Sequence, residues 1–307
     1  MRIARFGILG ALVLSAVGCQ TDDGGPTTPT IPPLAFVRYI NAVPDTFNLT
    51  VRFISQVEYV PQTIANVPYR GMNQGGYQGT EAGTHRFRAF TFDPALTTSN
   101  TPLGAQTAML ADTSFTFVAG QYYTILHAGF SRAGQLPAQR MLILADTIAT
   151  PTGISIRAIN AAIGMPAGVS ALDGFLTATA GTALAGAPAF ANIAYGAASA
   201  YSARAAAATA AQFAARGTLV SLAAGAASAG TPGTLTANPI AGATVAGSVL
   251  TAVGFGPAVP ESRAFGATRT TIVGGLPVTV IGAAALPTVI WFQDRQPART
   301  VPVVPLP

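Results

Sequence analysis

Residue types able to do chemistry are sparse in this chain. Its 307 residues hold one cysteine, Cys19, and two histidines, His85 and His127. A zinc centre needs three or four His, Cys or carboxylate ligands, so no metal or cofactor site is expected. The carboxylates Asp45, Glu58, Glu81, Asp93, Asp112 and Asp146 all lie in the first half of the chain. A glycosidase needs two acids held across a cleft, and no spacing here pairs them. No Gly-x-Ser-x-Gly elbow, phosphate loop or calcium loop is present. No catalytic residue is therefore expected. The alternative is an exported hydrolase built on the first-half histidines and acids, which requires the fold to bring a histidine to an acid and a hydroxyl.

Cys19 has a different reading. Arg2 and Arg5 precede an apolar or small run from Gly7 to Val17, and Ala16-Val17-Gly18 leads into the cysteine. A positive start, a short apolar middle and small residues before a cut form an export signal. The junction resembles the lipobox of bacterial lipoproteins, with Ala16 where Leu is commoner. The resemblance implies a diacylglycerol on Cys19, cleavage before it, and a membrane held through that lipid as partner. The alternative is cleavage by ordinary signal peptidase, with Cys19 incidental. Gln20 to Pro33 reads QTDDGGPTTPTIPP, a polar Gly/Thr/Pro tract suited to a flexible tether. By resemblance to enterobacterial sorting, Gln20 implies delivery to the outer membrane, on its periplasmic or surface side.

All sixteen basic residues are arginine, and the formal charge is +5. Without the leader's two arginines this falls to 5 − 2, or +3. Only Arg86 and Arg88 are close in sequence, so the concentrated basic stripe of a nucleic-acid partner is missing. Half of the residues are hydrophobic and mean hydropathy is +0.45. Much of this comes from alanine dispersed among Gly, Thr and Pro, and no run past the leader matches the ~18 apolar residues of a spanning helix.

Behind the tether the chain repeats. Phe36-Val37-Arg38-Tyr39-Ile40-Asn41-Ala42 returns as Ser155-Ile156-Arg157-Ala158-Ile159-Asn160-Ala161. Ala65-Asn66-Val67-Pro68-Tyr69 returns as Ala191-Asn192-Ile193-Ala194-Tyr195, and Tyr77 has a partner in Tyr201. Val118-Ala119-Gly120 returns as Val245-Ala246-Gly247, followed by Thr124 and Thr251. Each copy closes on an apolar run and an acid, Asp146 or Asp294, read as turn caps. The blocks alternate as strands do, and Gly120 suits a tight turn. Ala203 to Arg216 has the composition of a helix, but its place in the repeat corresponds to a strand, and the repeat is preferred. The expectation is an all-β protein: signal peptide 1–18, lipidated cysteine and tether 19–33, β-sandwich repeats 34–150 and 151–300, and a Pro-rich tail 301–307.

The V-R-x-I-N-A block with Pro44 and Asp45 behind it, the A-N-V-x-Y block and the V-A-G turn resemble domain-of-unknown-function family 4397. That resemblance implies tandem β-sandwiches in a secreted bacterial protein and no defined activity. Asn41 and Asn160 stand where the family usually has His. The recurring Asn41, Asn66, Tyr69, Asn160, Asn192 and Tyr195 are the candidate binding surface. The competing reading is that their amides bond local backbone and the tyrosines pack in the core. Functionally, the sequence points to an envelope lipoprotein acting by adhesion, scaffolding, or contact with envelope proteins or glycans. A subunit of a larger envelope assembly, marked by a contiguous exposed apolar patch, is a further possibility.

Overall fold

The computed structural model describes residues 32–46, 48–55, 62–92, 106–148, 150–163, 170–224, 226–228, 242–256, 269–273, 276–280 and 287–295. Cys19, the leader, nearly all of the tether, Glu58, Asp93 and the 301–307 tail lie outside them. No helix occurs among the described residues. None is therefore long and apolar enough to cross a membrane.

The first repeat contributes β1 (Leu34–Ala42), β2 (Asn48–Phe53), β3 (Thr63–Val67), β4 (Gln78–Glu81), β5 (Gly83–Phe92), β6 (Gln106–Phe117), β7 (Tyr122–Ala128) and β8 (Arg140–Asp146). They form an outer sheet ordered β3-β2-β5-β6 and an inner sheet ordered β4-β1-β7-β8. The second contributes β9 (Ile154–Ala161), β10 (Ala171–Thr177), β11 (Phe190–Ala194), β12 (Ser202–Arg204), β13 (Ala210–Ala215), β14 (Ser221–Ala224), β15 (Ala226–Ser228), β16 (Val249–Phe255), β17 (Arg269–Val273), β18 (Leu276–Val280) and β19 (Thr288–Arg295). Its outer sheet runs β11-β10-β13-β14 and its inner sheet β12-β9-β16-β19-β15, with β17 and β18 as a separate ribbon.

The alanine-rich stretch is no helix in this fold; it supplies the end of β12 and all of β13, joined by the irregular segment Ala205–Thr209. Ala203 and Arg204 pair with β9, and Ala210–Ala215 pair with β10. Ala211 and Phe213 are buried with Leu172, Phe190 and Ile193. A two-faced sheet gives that segment both ladder partners and a core, and this outweighs a helix preference of well under ~1 kcal/mol per residue.

The two inner sheets pack face to face. Strand residues alternate between faces, so each inner strand serves two interiors. Val37 and Tyr39 point into the first sandwich with Val51, Phe87 and Ile125. Ile40 and Ala42 point the other way, joining Leu126, Ile159, Val253, Phe255, Ile290 and Phe292 in a core shared by both repeats. Strands buried on both faces read as nearly continuous apolar runs, and β9 and β16 are buried along their whole lengths. Pro33–Pro307 accordingly forms one compact unit of four stacked sheets.

Candidate functional site

The polar side chains that interrupt the inner strands converge between the sheets. β1 and β7 pair in parallel with Arg38 beside Thr124, and β9 and β16 repeat that register with Arg157 beside Thr251. Both arginines are buried, with Arg38 at 0% exposure and Arg157 at 2%. Each pairs with the acid that closes the other repeat: Arg38 Nη1 with Asp294 Oδ1, and Arg157 Nη1 with Asp146 Oδ1 at 2.5 Å. Arg38 also donates to Thr124 Oγ1 at 2.8 Å and Thr251 Oγ1 at 3.2 Å. Arg157 donates to Thr251 Oγ1 at 3.0 Å and Thr124 Oγ1 at 3.1 Å.

Tyrosines complete the cluster. Tyr77 and Thr124 both donate to Asp146 Oδ2 at 2.5 Å. Tyr201 and Thr251 donate to Asp294 Oδ2 at 2.5 and 2.6 Å. The guanidinium of Arg38 lies 4.7 Å from the Tyr77 ring centre, and that of Arg157 lies 4.9 Å from the Tyr201 ring centre. Burial works against the charge on both arginines, but for Arg38 Asp294, and for Arg157 Asp146, holds the guanidinium above its ordinary range. Burial likewise pushes the Tyr77 and Tyr201 phenols far up, so both remain donors. Two cations and two anions cancel, and this neutrality makes the burial tolerable.

The closing acids are thus not turn caps. Asp146 and Asp294 are interior anions, each clamped by the opposite repeat. The recurrence of Arg38/Arg157, Thr124/Thr251, Tyr77/Tyr201 and Asp146/Asp294 was visible in the sequence. Which copy supplies each partner was not.

The six candidate surface residues do not meet in one patch. Asn41 is fully buried; its amide donates to Val67 O at 3.0 Å and its Oδ1 accepts from Val43 N at 3.0 Å. Asn160 does the same with Ile193 O at 2.9 Å and Ala162 N at 3.0 Å. Asn66 and Asn192 are exposed on the two outer sheets, at φ 55° and 54°. Asparagine tolerates this left-handed conformation, and each sits where its strand pairing shifts register. Tyr69 is buried edge-on to Phe255, with ring centres 6.1 Å apart. Tyr195 is half-buried, and burial raises its phenol above the usual range.

Both histidines are buried. His127 Nε2 bonds Gln139 Oε1 at 2.5 Å, while the Gln139 amide donates to Leu110 O. Tyr39 Oη lies 2.8 Å from His127 Nδ1. The Leu110 carbonyl can only accept, which turns the Gln139 carbonyl towards His127 and puts a hydrogen on Nε2. Burial pushes the His127 pKa down to about 4. His85 Nε2 lies 2.8 Å from Glu81 O and its Nδ1 3.0 Å from Ser55 Oγ. The carbonyl again requires a hydrogen on Nε2, and Nδ1 is left facing the Ser55 hydroxyl. The third group is thus a backbone carbonyl, where a catalytic triad would place a carboxylate.

Other acids are dispersed. Asp45 accepts from Ser131 N and Arg132 N at 2.8 and 3.0 Å, and Asp112 pairs with arginines on the outer sheet. Among the described residues no three His, Cys, Asp or Glu side chains are grouped to hold a metal ion. Strongly exposed apolar side chains, such as Val118, Leu136, Val220 and Val245, are distributed over separate turns and loops.

No protein-family model matches the chain, so the resemblance to family 4397 gains no support from that side, and no curated protein matches it either. Among solved structures the chain is similar to a Parabacteroides distasonis protein that its name assigns, provisionally, to cell adhesion. Identity is 11%, with 86% of this chain and 100% of that one covered, at a TM-score of 0.21. A likeness at that level carries nothing about fold or function.

Removing one member of the cluster leaves a buried charge unpaired. Arg38→Met is expected to lower unfolding free energy by about 3–5 kcal/mol, and Asp294→Leu by a similar amount. The double variant should recover most of the loss, which a double-mutant cycle in urea would measure. His127 gives a pH signature. Its folded pKa near 4 lies below the unfolded value of 6.5, so between those values only the unfolded chain binds the proton. Stability should therefore fall as pH drops from 6.5 towards 4, by up to about 3 kcal/mol. The urea midpoint of His127→Gln should show a weaker decline across the same window.

Proposed function

We propose that the chain is a non-catalytic lipoprotein of the bacterial cell envelope. It is anchored through Cys19 and presents two joined β-sandwiches as an adhesion or scaffolding module towards envelope proteins or glycans. The observation that carries this reading is the cross-repeat cluster. Two buried arginines and two buried aspartates are paired across the repeats and join the sandwiches into one body, which suits a module that bears or spaces a load. The lipobox-like Ala16-Val17-Gly18-Cys19 and the polar tract behind it support the anchor. Gln20 fits outer-membrane delivery.

Expression of wild type and Cys19→Ser in a bacterial host tests the anchor. Wild type should fractionate with membranes and carry a diacylglyceryl mass on its N-terminal cysteine. The variant should turn soluble or stay unprocessed. Soluble wild type cut elsewhere would replace the anchored module with a freely secreted one.

The Ser55–His85 pair supports a second reading, an exported hydrolase with Ser55 as nucleophile and His85 as base. A fluorophosphonate probe separates the two. The adhesion reading expects no label on Ser55; labelling that disappears in Ser55→Ala overturns the non-catalytic assignment.

A further inference from the structure

The outer sheets of the two repeats have diverged on their outward faces. In the second repeat Phe175 and Gln212 are paired across β10 and β13. Both are buried: Phe175 packs with Leu184, and the Gln212 amide donates to Thr182 O at 2.8 Å. The segment joining β10 to β11 therefore covers this face. The corresponding positions of the first repeat are Arg52 and Arg88, paired across β2 and β5. Thr50 and Asp173 fix the correspondence, since they accept from the equivalent Asn66 and Asn192 amides.

Arg86 extends this row along β5, with its side chain 54% exposed, and Arg88 is 34% exposed. Asp112 on β6 takes Arg86 at 2.7 and 2.6 Å and Arg88 at 2.8 Å. Arg52, half-exposed, has no ion pair among the described residues. Among the described residues three cations stand against one anion on this face, 3 − 1, or +2. Like charges directly opposite across strands are destabilising, so this surface has an unmet demand for anions. Phe90, next outward along β5 and half-buried, adds an apolar platform beside Arg88.

We infer that the outward face of the β3-β2-β5-β6 sheet binds an acidic polysaccharide, its carboxylates held by Arg52, Arg86 and Arg88 and a sugar ring set against Phe90. Guanidinium forks match carboxylates bidentately. Neighbouring strands lie ~4.8 Å apart and alternate residues along a strand ~6.8 Å apart, which is the scale of successive sugars. Three arginines on a flat face fall short of the stripe that a nucleic-acid duplex requires. The inference rests on the export reading above, because only an exported chain meets such polymers at the envelope.

The test is binding of polygalacturonate to the purified protein, with dextran and duplex DNA as comparators. Polygalacturonate should bind, and added salt should weaken it. Arg52→Gln/Arg88→Gln should lose at least ~10-fold in affinity, since two charge-assisted contacts disappear. Phe90→Ser should lose less, and Arg140→Gln, outside the face, should bind as wild type. Circular-dichroism melts check that each variant is folded. Absence of polygalacturonate binding, unchanged binding in the double variant, or equal binding to dextran or DNA would each overturn the assignment. The outcome is read on purified protein, so it stands or falls separately from the lipid mass on Cys19.

Discussion

Two arginines and two aspartates, removed from water between two sheets, are the constraint on which this structure depends. Such a cluster adds little net stability compared with a well-packed apolar core, but it is severe about alternatives. If one sandwich slid by a strand position, Arg38 would meet apolar side chains where Asp294 now stands, and its charge would go unanswered. Apolar packing among Ile40, Leu126, Val253 and Phe292 would tolerate several registers. The crossed ion pairs admit one. The shared apolar core thus provides most of the adhesion between the repeats, and the cluster provides its register.

The same constraint explains where the duplication stayed alike and where it drifted. Inner-sheet positions answer to two packing faces and to a counterpart in the other repeat. Arg38 and Arg157, Thr124 and Thr251, and Asn41 and Asn160 accordingly keep equivalent partners to within a few tenths of an ångström. Outer-sheet positions share a packing face only with their own inner sheet, and their outward faces differ between the repeats. There Arg52 faces Phe175 as its counterpart, and Ser55 and His85 belong to the first repeat alone. Arg70 shows an intermediate case. It occupies the left-handed position that Gly196 fills in the second copy, at φ 65° against 78°. Its guanidinium reaches across to Gly256 O at 2.7 Å, so a cross-repeat bond accompanies the strained backbone.

The strands were legible because alternation and β-branching leave a local trace. Within Ala203–Arg216, Ala210–Ala215 became strand as the repeat position implied, with no apolar stripe to hold the stretch as a helix. The candidate surface was harder to see, because recurrence marks importance without saying inside or outside. Asn41 recurs since its amide joins a central strand to the end of β3, and Asn66 recurs since its backbone turns left-handed. The ion pairs were hidden for a different reason. A repeat position names a residue's place within one copy, and Arg38 bonds the other. Asp146 at a strand end resembles a cap in sequence, and only the stacking of a second sheet over it makes it an interior anion.

Chain order then acquires a physical meaning. Among the described residues Arg38 lies on the first strand and Asp294 on the last, 256 positions apart. The folded body is therefore latched between β1 and β19. The first repeat can assemble its own sandwich early, from Val37, Val51, Phe87 and Ile125, but its inner sheet keeps a buried-to-be cation without a counter-ion until β19 exists. Long-range closure of this kind is slow, because loop entropy must be overcome before the contact forms. Once made, it joins the strand that follows the tether to the strand at the far end of the sequence. β1 is held by a parallel neighbour, an antiparallel neighbour and an ion pair to the second repeat. The strand that carries Arg38 thus ties the first sandwich's inner sheet to the second repeat.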